Sequence, residues 1–366
     1  MLQGEKLRYL AVLMIAGLTI LGRITHIDQG LQVLLHTILL VYLGCVYSSK
    51  LFDVKKERDV EVMQQKDAWL FPVFGSAVLF GLFLLFKYIN KDYINTLFHF
   101  YFSIIGAYSV SCFIYERLVQ IPALEPFSKK TVVTIPPIKW VNEKESIISQ
   151  LDVCTIILGS IVGIAYFFYK NWSLNNILGI TFCVFGIENI MLGQFKVGFI
   201  LLSLLFFYDI FWVFGTPVMV TVAKNLDGPI KLMFPKHIPV ESPTDFNMIG
   251  LGDIVIPGIF VALMLRFDMV KYFKSNLNSV EVPFSYKNCK YFLNTMIGYS
   301  VGMLATLGVM FYFKAAQPAL LYLVPGCLIS SIGTAVACGD MKELWSFSEE
   351  EYLNELKGNM NKEKAN

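Results

Sequence analysis

Apolar runs long enough to cross a lipid bilayer recur along almost the whole chain. They cover about 31–47, 70–88, 93–113, 152–169, 174–192, 197–219, 249–267, 291–313 and 318–338. A helix needs about 20 mainly apolar residues to span the hydrocarbon layer. Inside that layer every backbone group must be paired within the structure, which leaves helices or a closed barrel. Runs of this length without period-two alternation specify helices. Composition agrees: the 366 residues are 55% hydrophobic and 16% charged, with a mean hydropathy of +0.58. That is more apolar surface than one water-soluble core can bury. The expected fold class is an all-α polytopic membrane protein with nine transmembrane helices.

A further apolar segment, about 7–22, follows Lys6 and Arg8. It reads equally as a removed signal peptide or as an additional retained helix. Lysine and arginine then set the orientation. The connections 48–69, 114–151, 193–196, 266–290 and 339–366 carry 20 basic residues, against 8 in the alternate set. The richer set is expected in the cytosol, so the helix at 31 starts from the lumen and the C-terminus is cytosolic. Four regions follow: 1–30, an N-terminal hydrophobic segment; 31–192, helices one to five; 193–340, helices six to nine; and 341–366, a charged cytosolic tail expected to fray or to form a short surface helix. Thr131–Ile135 is expected as a short strand, and proline-rich 220–248 as a lumenal loop. The seven cysteines include no CxxC pair and read as small helix hydrophobes. A net charge of +2 implies no nucleic-acid partner. With no HExxH and no P-loop, neither a metal nor a cofactor is expected.

Ionisable groups in hydrocarbon are costly and mark function. Asp209 lies mid-run in Leu-Leu-Phe-Phe-Tyr-Asp-Ile-Phe-Trp, and Asp253 lies in the first turns of the next run. Consecutive helices are antiparallel neighbours, so each offers a carboxylate to the other. Two carboxylates in a low-dielectric site share one proton, the acid/base arrangement of aspartic proteases. Taken alone, Asp209 could instead be a structural acid bonded to a neighbouring helix, and Asp253 a helix N-terminal acid favoured by the dipole. Gly250 and Gly252 clear side chains from beside Asp253. Glu188 reads as a helix-contact or snorkelling residue or a support to the site, and His99 as a packed histidine. Gly159/Gly163 and Gly298/Gly302 have the spacing of close helix approach. Two rival readings remain: a transporter or channel in which Asp209 and Asp253 carry protons, and a non-catalytic protein that uses the same cleft to hold a helix.

Tyr208-Asp209, Gly250-Leu251-Gly252-Asp253 and Gln317-Pro318-Ala319-Leu320 stand in the order of the YD, GxGD and PAL motifs. In these the chain resembles the intramembrane aspartyl proteases, the superfamily of presenilins and signal peptide peptidases. The flanking residues 208–215 and 317–325 are similar to signal peptide peptidase. The resemblance covers about 31–340. It implies nine membrane helices, Asp209 and Asp253 as the catalytic pair, and the remaining motif residues as shapers of the site. It also implies cleavage of remnant signal peptides and type II-oriented helices in the endoplasmic-reticulum membrane, homo-oligomers, and association with degradation components of that compartment. Pro318 is expected to start the last helix, with Ala319 and Leu320 against the acids or the substrate. Lys362 and Lys364 match a Lys-x-Lys-x-x retrieval signal.

Overall fold

The computed structural model describes residues 2–3, 5–24, 29–49, 61–135, 146–235, 246–276, 282–313 and 317–352. The long helices are α1 (Glu5–Ile24), α2 (Gln29–Ser48), α3 (Gln65–Tyr88), α4 (Lys91–Leu118), α6 (Gln150–Tyr169), α7 (Trp172–Asn189), α8 (Phe195–Phe214), α10 (Gly252–Ser275), α11 (Lys290–Phe313) and α12 (Leu320–Cys338). Short helices α5 (Glu125–Lys129), α9 (Val218–Asn225) and α13 (Met341–Ser346) lie between or after them. Every sheet among the described residues is a pair of strands. β1 (Leu2–Gln3) runs parallel to β8 (Val282–Pro283), and β2 (Glu61–Val62) parallel to β5 (Ile190–Met191). β3 (Thr131–Ile135) and β4 (Ser146–Ser149) are antiparallel, as are β6 (Lys231–Pro235) and β7 (Phe246–Gly250). The chain is a polytopic all-α membrane protein.

Seven of the described helices are long and apolar enough to cross a membrane: α2, α3, α4, α6, α8, α11 and α12. Helices α7 and α10 stand where the fifth and seventh of the nine expected spans lie but fall outside that set. Polar residues are the reason. Helix α7 carries Asn175, Asn176 and Glu188, and α10 carries Asp253, Arg266, Asp268, Lys271 and Lys274. Both are sheltered by other helices. In α10 every residue from Pro257 to Val270 is buried, so its polar groups meet protein rather than lipid. By contrast α3 buries only Ala68 and turns Trp69, Phe74, Val78 and Phe80 outward.

The glycine pairs work as their spacing predicts. A Cβ at Gly159 would lie 2.3 Å from the Ala107 carbonyl oxygen, and one at Gly163 2.6 Å from that of Ser103, so α6 rests directly on the backbone of α4. At Gly298 and Gly302 the same test meets the Gly326 and Tyr322 carbonyls at 2.2 and 2.7 Å, which seats α11 against α12. Without a hydrophobic drive between helices in lipid, close packing of this kind holds the bundle together.

Several expectations need correction. The run 249–267 is not helical from its start: residues 246–250 pair with β6, and the helix begins at Gly252 and continues to Ser275. The run 174–192 ends its helix at Asn189 and gives its last residues to β5. The run 197–219 breaks after Phe214, ahead of Pro217, and α9 is a separate helix. Segment 220–248, expected as a loop, holds much of α9 and both strands of the β6–β7 hairpin up to Met248. The tail opens with the short helix α13, one of its two expected forms, and that start packs on the bundle. The strand at Thr131–Ile135 is present. Lys362 and Lys364 lie outside the described residues.

Candidate active site

Helix α8 is apolar on all sides, and Asp209 is its acid. Asp209 is 3% exposed, and its Oδ2 accepts the backbone N–H of Leu320 at 3.0 Å. Leu320 is the first residue of α12, where helix N–H groups lack an intrahelical acceptor. The third motif therefore supplies a positive helix end to the acid of the first. Pro318 does not itself begin the helix. It stands two residues ahead, buried together with Ala319 and Leu320, and its carbonyl accepts from Leu321. Gln317 is half-buried.

The second acid sits where β7 turns into α10. The Leu251 N–H donates to the Ile230 carbonyl at 2.9 Å, and the Leu251 carbonyl accepts from Ile254 and Val255. This double use fixes the corner, so Asp253 emerges in the first turn of α10. A Cβ at Gly250 would stand 3.3 Å from Asp253 Oδ2, so the glycine leaves room for the carboxylate. Gly252 is exposed and has open space around it. Asp253 is half-buried and within electrostatic reach of Asp209. All three motifs thus converge, as their order in the sequence predicts. One buried and one half-buried carboxylate, with the cation of α8, Lys196, near the far end of that helix, can exchange protons with each other and with a water.

Tyr208 flanks the pair on the side of α3. It is half-buried and in van der Waals reach of Gly75, while Trp212 one turn on donates to Ser76 Oγ at 3.1 Å. Tyr208 also lines an apolar cavity of about 590 Å³ between α3, α8 and α9, walled by Phe71, Phe74, Val78 and Val222.

Two other singled-out residues lie elsewhere. Glu188 is buried and paired with Arg117 at 3.5 Å, and the Arg117 guanidinium is stacked between the Tyr47 and Phe113 rings. It is a helix contact between α7 and α4. His99 is a packed histidine bonded to Tyr166 at 3.0 Å, and its contact with Asp227 holds that carboxyl below the usual carboxylate range. Sequence reasoning missed Arg266, Asp268 and Glu349, all buried. Arg266 and Asp268 read as part of the connection 266–290, because their charges end the apolar run there. The signal was available: Phe267, Met269 and Val270 continue the apolar pattern beyond Arg266.

Comparison with known proteins follows the same outline. The family model described as signal peptide peptidase matches residues 55–351. The chain is 38% identical to the signal peptide peptidase of Homo sapiens over 325 residues, 87% of this chain and 82% of the human one. It is 35% identical to a probable intramembrane protease of Schizosaccharomyces pombe over 311 residues, 85% and 91% of the two chains. With intramembrane protease 2 of Caenorhabditis elegans it shares 44% identity over 207 residues, 56% and 44% of the two. A match that takes in both acids, the hairpin before Asp253 and the Leu320 amide leaves one conclusion: the chain belongs to the signal peptide peptidase family of intramembrane proteases.

Proposed function

We propose that the protein is an aspartic endopeptidase that cuts helices within the membrane, with Asp209 and Asp253 as its catalytic residues. The observation that carries this reading is the approach of two acids from antiparallel neighbours, one of them bonded to the Leu320 amide. One carboxylate takes a proton from a water held between them. The hydroxide so formed attacks the scissile carbonyl, to which the other carboxylate donates. Tyr208, Gly250, Leu251, Gly252, Gln317, Pro318, Ala319 and Leu320 shape the site around that carbonyl.

The substrates are remnant signal peptides and other type II-oriented membrane helices. The apolar cavity beside Tyr208, bounded by the lipid-facing helix α3, suits a helix arriving sideways from the bilayer. The protein works in the endoplasmic-reticulum membrane in this reading, with the start of α2 lumenal and the C-terminus cytosolic; the basic-residue asymmetry supports the orientation. Homo-oligomers and contacts with degradation components complete the reading. The test is direct. Purified protein in detergent is given a labelled signal peptide, and fragments cut inside the apolar segment are expected. Their absence, with the peptide bound, would leave the protein a signal-sequence receptor. A proton flux through reconstituted vesicles without cleavage would leave it a transporter.

A further inference from the structure

After α12 the chain does not leave the bundle. Segment 339–352 folds back across the ends of α8 and α10 that lie farthest from the two acids. Trp345 meets the rings of Phe195 and Phe199 on α8 at 5.9 and 5.8 Å, and Phe347 stands edge-on to Phe267 of α10 at 5.0 Å. Ser348 bridges to Gln194, and the Glu349 N–H donates to the Gly193 carbonyl at 2.7 Å, just ahead of α8. The Glu349 side chain then turns the other way and accepts from Arg266 Nε on α10. One residue is thereby bonded to α10 and to the turn that leads into α8, the two helices that carry the acids.

We infer that Glu349, with Arg266, is a positioning residue: it ties α8 to α10 at their far ends and so sets the separation of Asp209 and Asp253. The inference rests on the proteolytic reading above. Both members of the pair are fully buried, and Arg266 Nη1 and Nη2 and Glu349 Oε2 have no partner among the described residues. A buried pair left partly unsatisfied is a poor source of stability, since desolvation offsets most of its attraction. What such a pair supplies is register.

The lever is long. Thirteen residues separate Arg266 from Asp253 and fifteen separate Gln194 from Asp209, about 20 Å along each helix at 1.5 Å per residue. A splay of about 5° at the tie moves a carboxylate by roughly 2 Å over that length. Misplacing reacting groups by about 1 Å costs roughly 100-fold in rate. Direct packing of the two helices through Phe260 against Phe195 and Gly198 lies at the tie end of α8 and about midway between Arg266 and Asp253 on α10, so the acid end of the pair lies beyond that contact, where a change of crossing angle moves it.

The test uses the full chain and two readouts. In the first, Asp209→Cys and Asp253→Cys are combined, and the rate of disulfide formation between them is read by mass spectrometry with the tie intact, with Glu349→Ala, and with Arg266→Met plus Glu349→Met. The double methionine variant removes both buried charges and keeps the chain foldable if Glu349→Ala does not insert. The expected result is crosslinking slowed at least tenfold. In the second readout, with both acids in place, the same variants should lower kcat 10- to 100-fold and leave KM within twofold. A folded double variant with unchanged crosslinking, or with unchanged kcat, overturns the inference. If the unaltered protein cuts no signal peptide, the proteolytic reading falls, and crosslinking alone still decides whether Glu349 sets the separation.

Discussion

The backbone amide of Leu320 donates to the Asp209 carboxylate, joining positions 111 residues apart in the sequence. The contact makes the two acids unequal, because Asp253 has no such amide among the hydrogen bonds of the described residues. It follows that the two alanine variants should differ in stability while agreeing in activity.

Asp209→Ala and Asp253→Ala should each lower cleavage at least about 1,000-fold, since in the proposed mechanism each acid does one half of the proton transfer. Asp209→Ala also strands the Leu320 N–H, which should cost about 1–3 kcal/mol. Asp253→Ala should insert and melt like the parent. Turnover of a labelled signal peptide and thermal unfolding in detergent check both parts, and near-parental turnover in either variant would remove the dyad.

The pH dependence of kcat/KM should be bell-shaped, with two apparent values that belong to the pair rather than to either residue. In the proposed mechanism activity requires one carboxyl protonated and the other ionised. It should therefore be lost at low pH, where both hold protons, and at high pH, where both are charged. A profile with a single limb would assign the second proton to another group.

Two of the three glycines of α11, Gly298 and Gly308, should respond in opposite directions. Gly298→Ala forces a Cβ to within 2.2 Å of the Gly326 carbonyl oxygen and should destabilise by about 1–3 kcal/mol or more. Gly308 has nothing within 4 Å, so Gly308→Ala should stabilise the helix by roughly 0.5–1 kcal/mol. Thermal denaturation of the two variants compares them, and equal shifts would show that the α11–α12 seam does not need its glycine.

A tag after Asn366 should be digested by protease added to sealed microsomes, and a tag within 236–245 should be protected. The motive is the asymmetry of 20 basic residues against 8. Replacing Lys362 and Lys364 should let part of the protein reach later compartments. A protected C-terminal tag would invert the topology, and unchanged localisation would make the two lysines incidental.

Substrate helices that open easily should be cut faster. A helical carbonyl is held by its i→i−4 bond, and each bond broken in lipid costs several kcal/mol unless the site re-pairs the groups. Peptides of equal hydrophobicity with Gly, Ser, Asn or Pro in the apolar segment should show higher kcat than their Leu counterparts, with smaller changes in KM. A kcat that ignores this series would place the slow step elsewhere.

Much of this architecture was readable because membrane helices announce themselves by length. The acids at 209 and 253 were readable because a charge in such a run is conspicuous. Less accessible was the strand Phe246–Gly250, since a short apolar stretch joined to a helical one carries no period of its own. The tie between Arg266 and Glu349 was hidden for another reason. Arg266 looks like an ordinary charge at the margin of an apolar run and Glu349 like one of the charges of the tail, and only the return of the chain over 83 residues makes them partners. Glu188 and Arg117 are concealed in the same way across separate helices.

The enclosure of α10 bears on how the protein is made. A translocon releases a segment into lipid according to that segment's own apolarity, and each central Asp or Arg counts against release by about 2.5–3.5 kcal/mol. Helix α10 carries Asp253, Arg266 and Asp268 within one span, charges that count against its release alone. It follows two loop strands and precedes α11, a helix apolar enough to integrate unaided. The acid-bearing helix should therefore enter the bilayer late, escorted by α8 and α11, so that Asp253 reaches the hydrocarbon only once Asp209 is there to meet it.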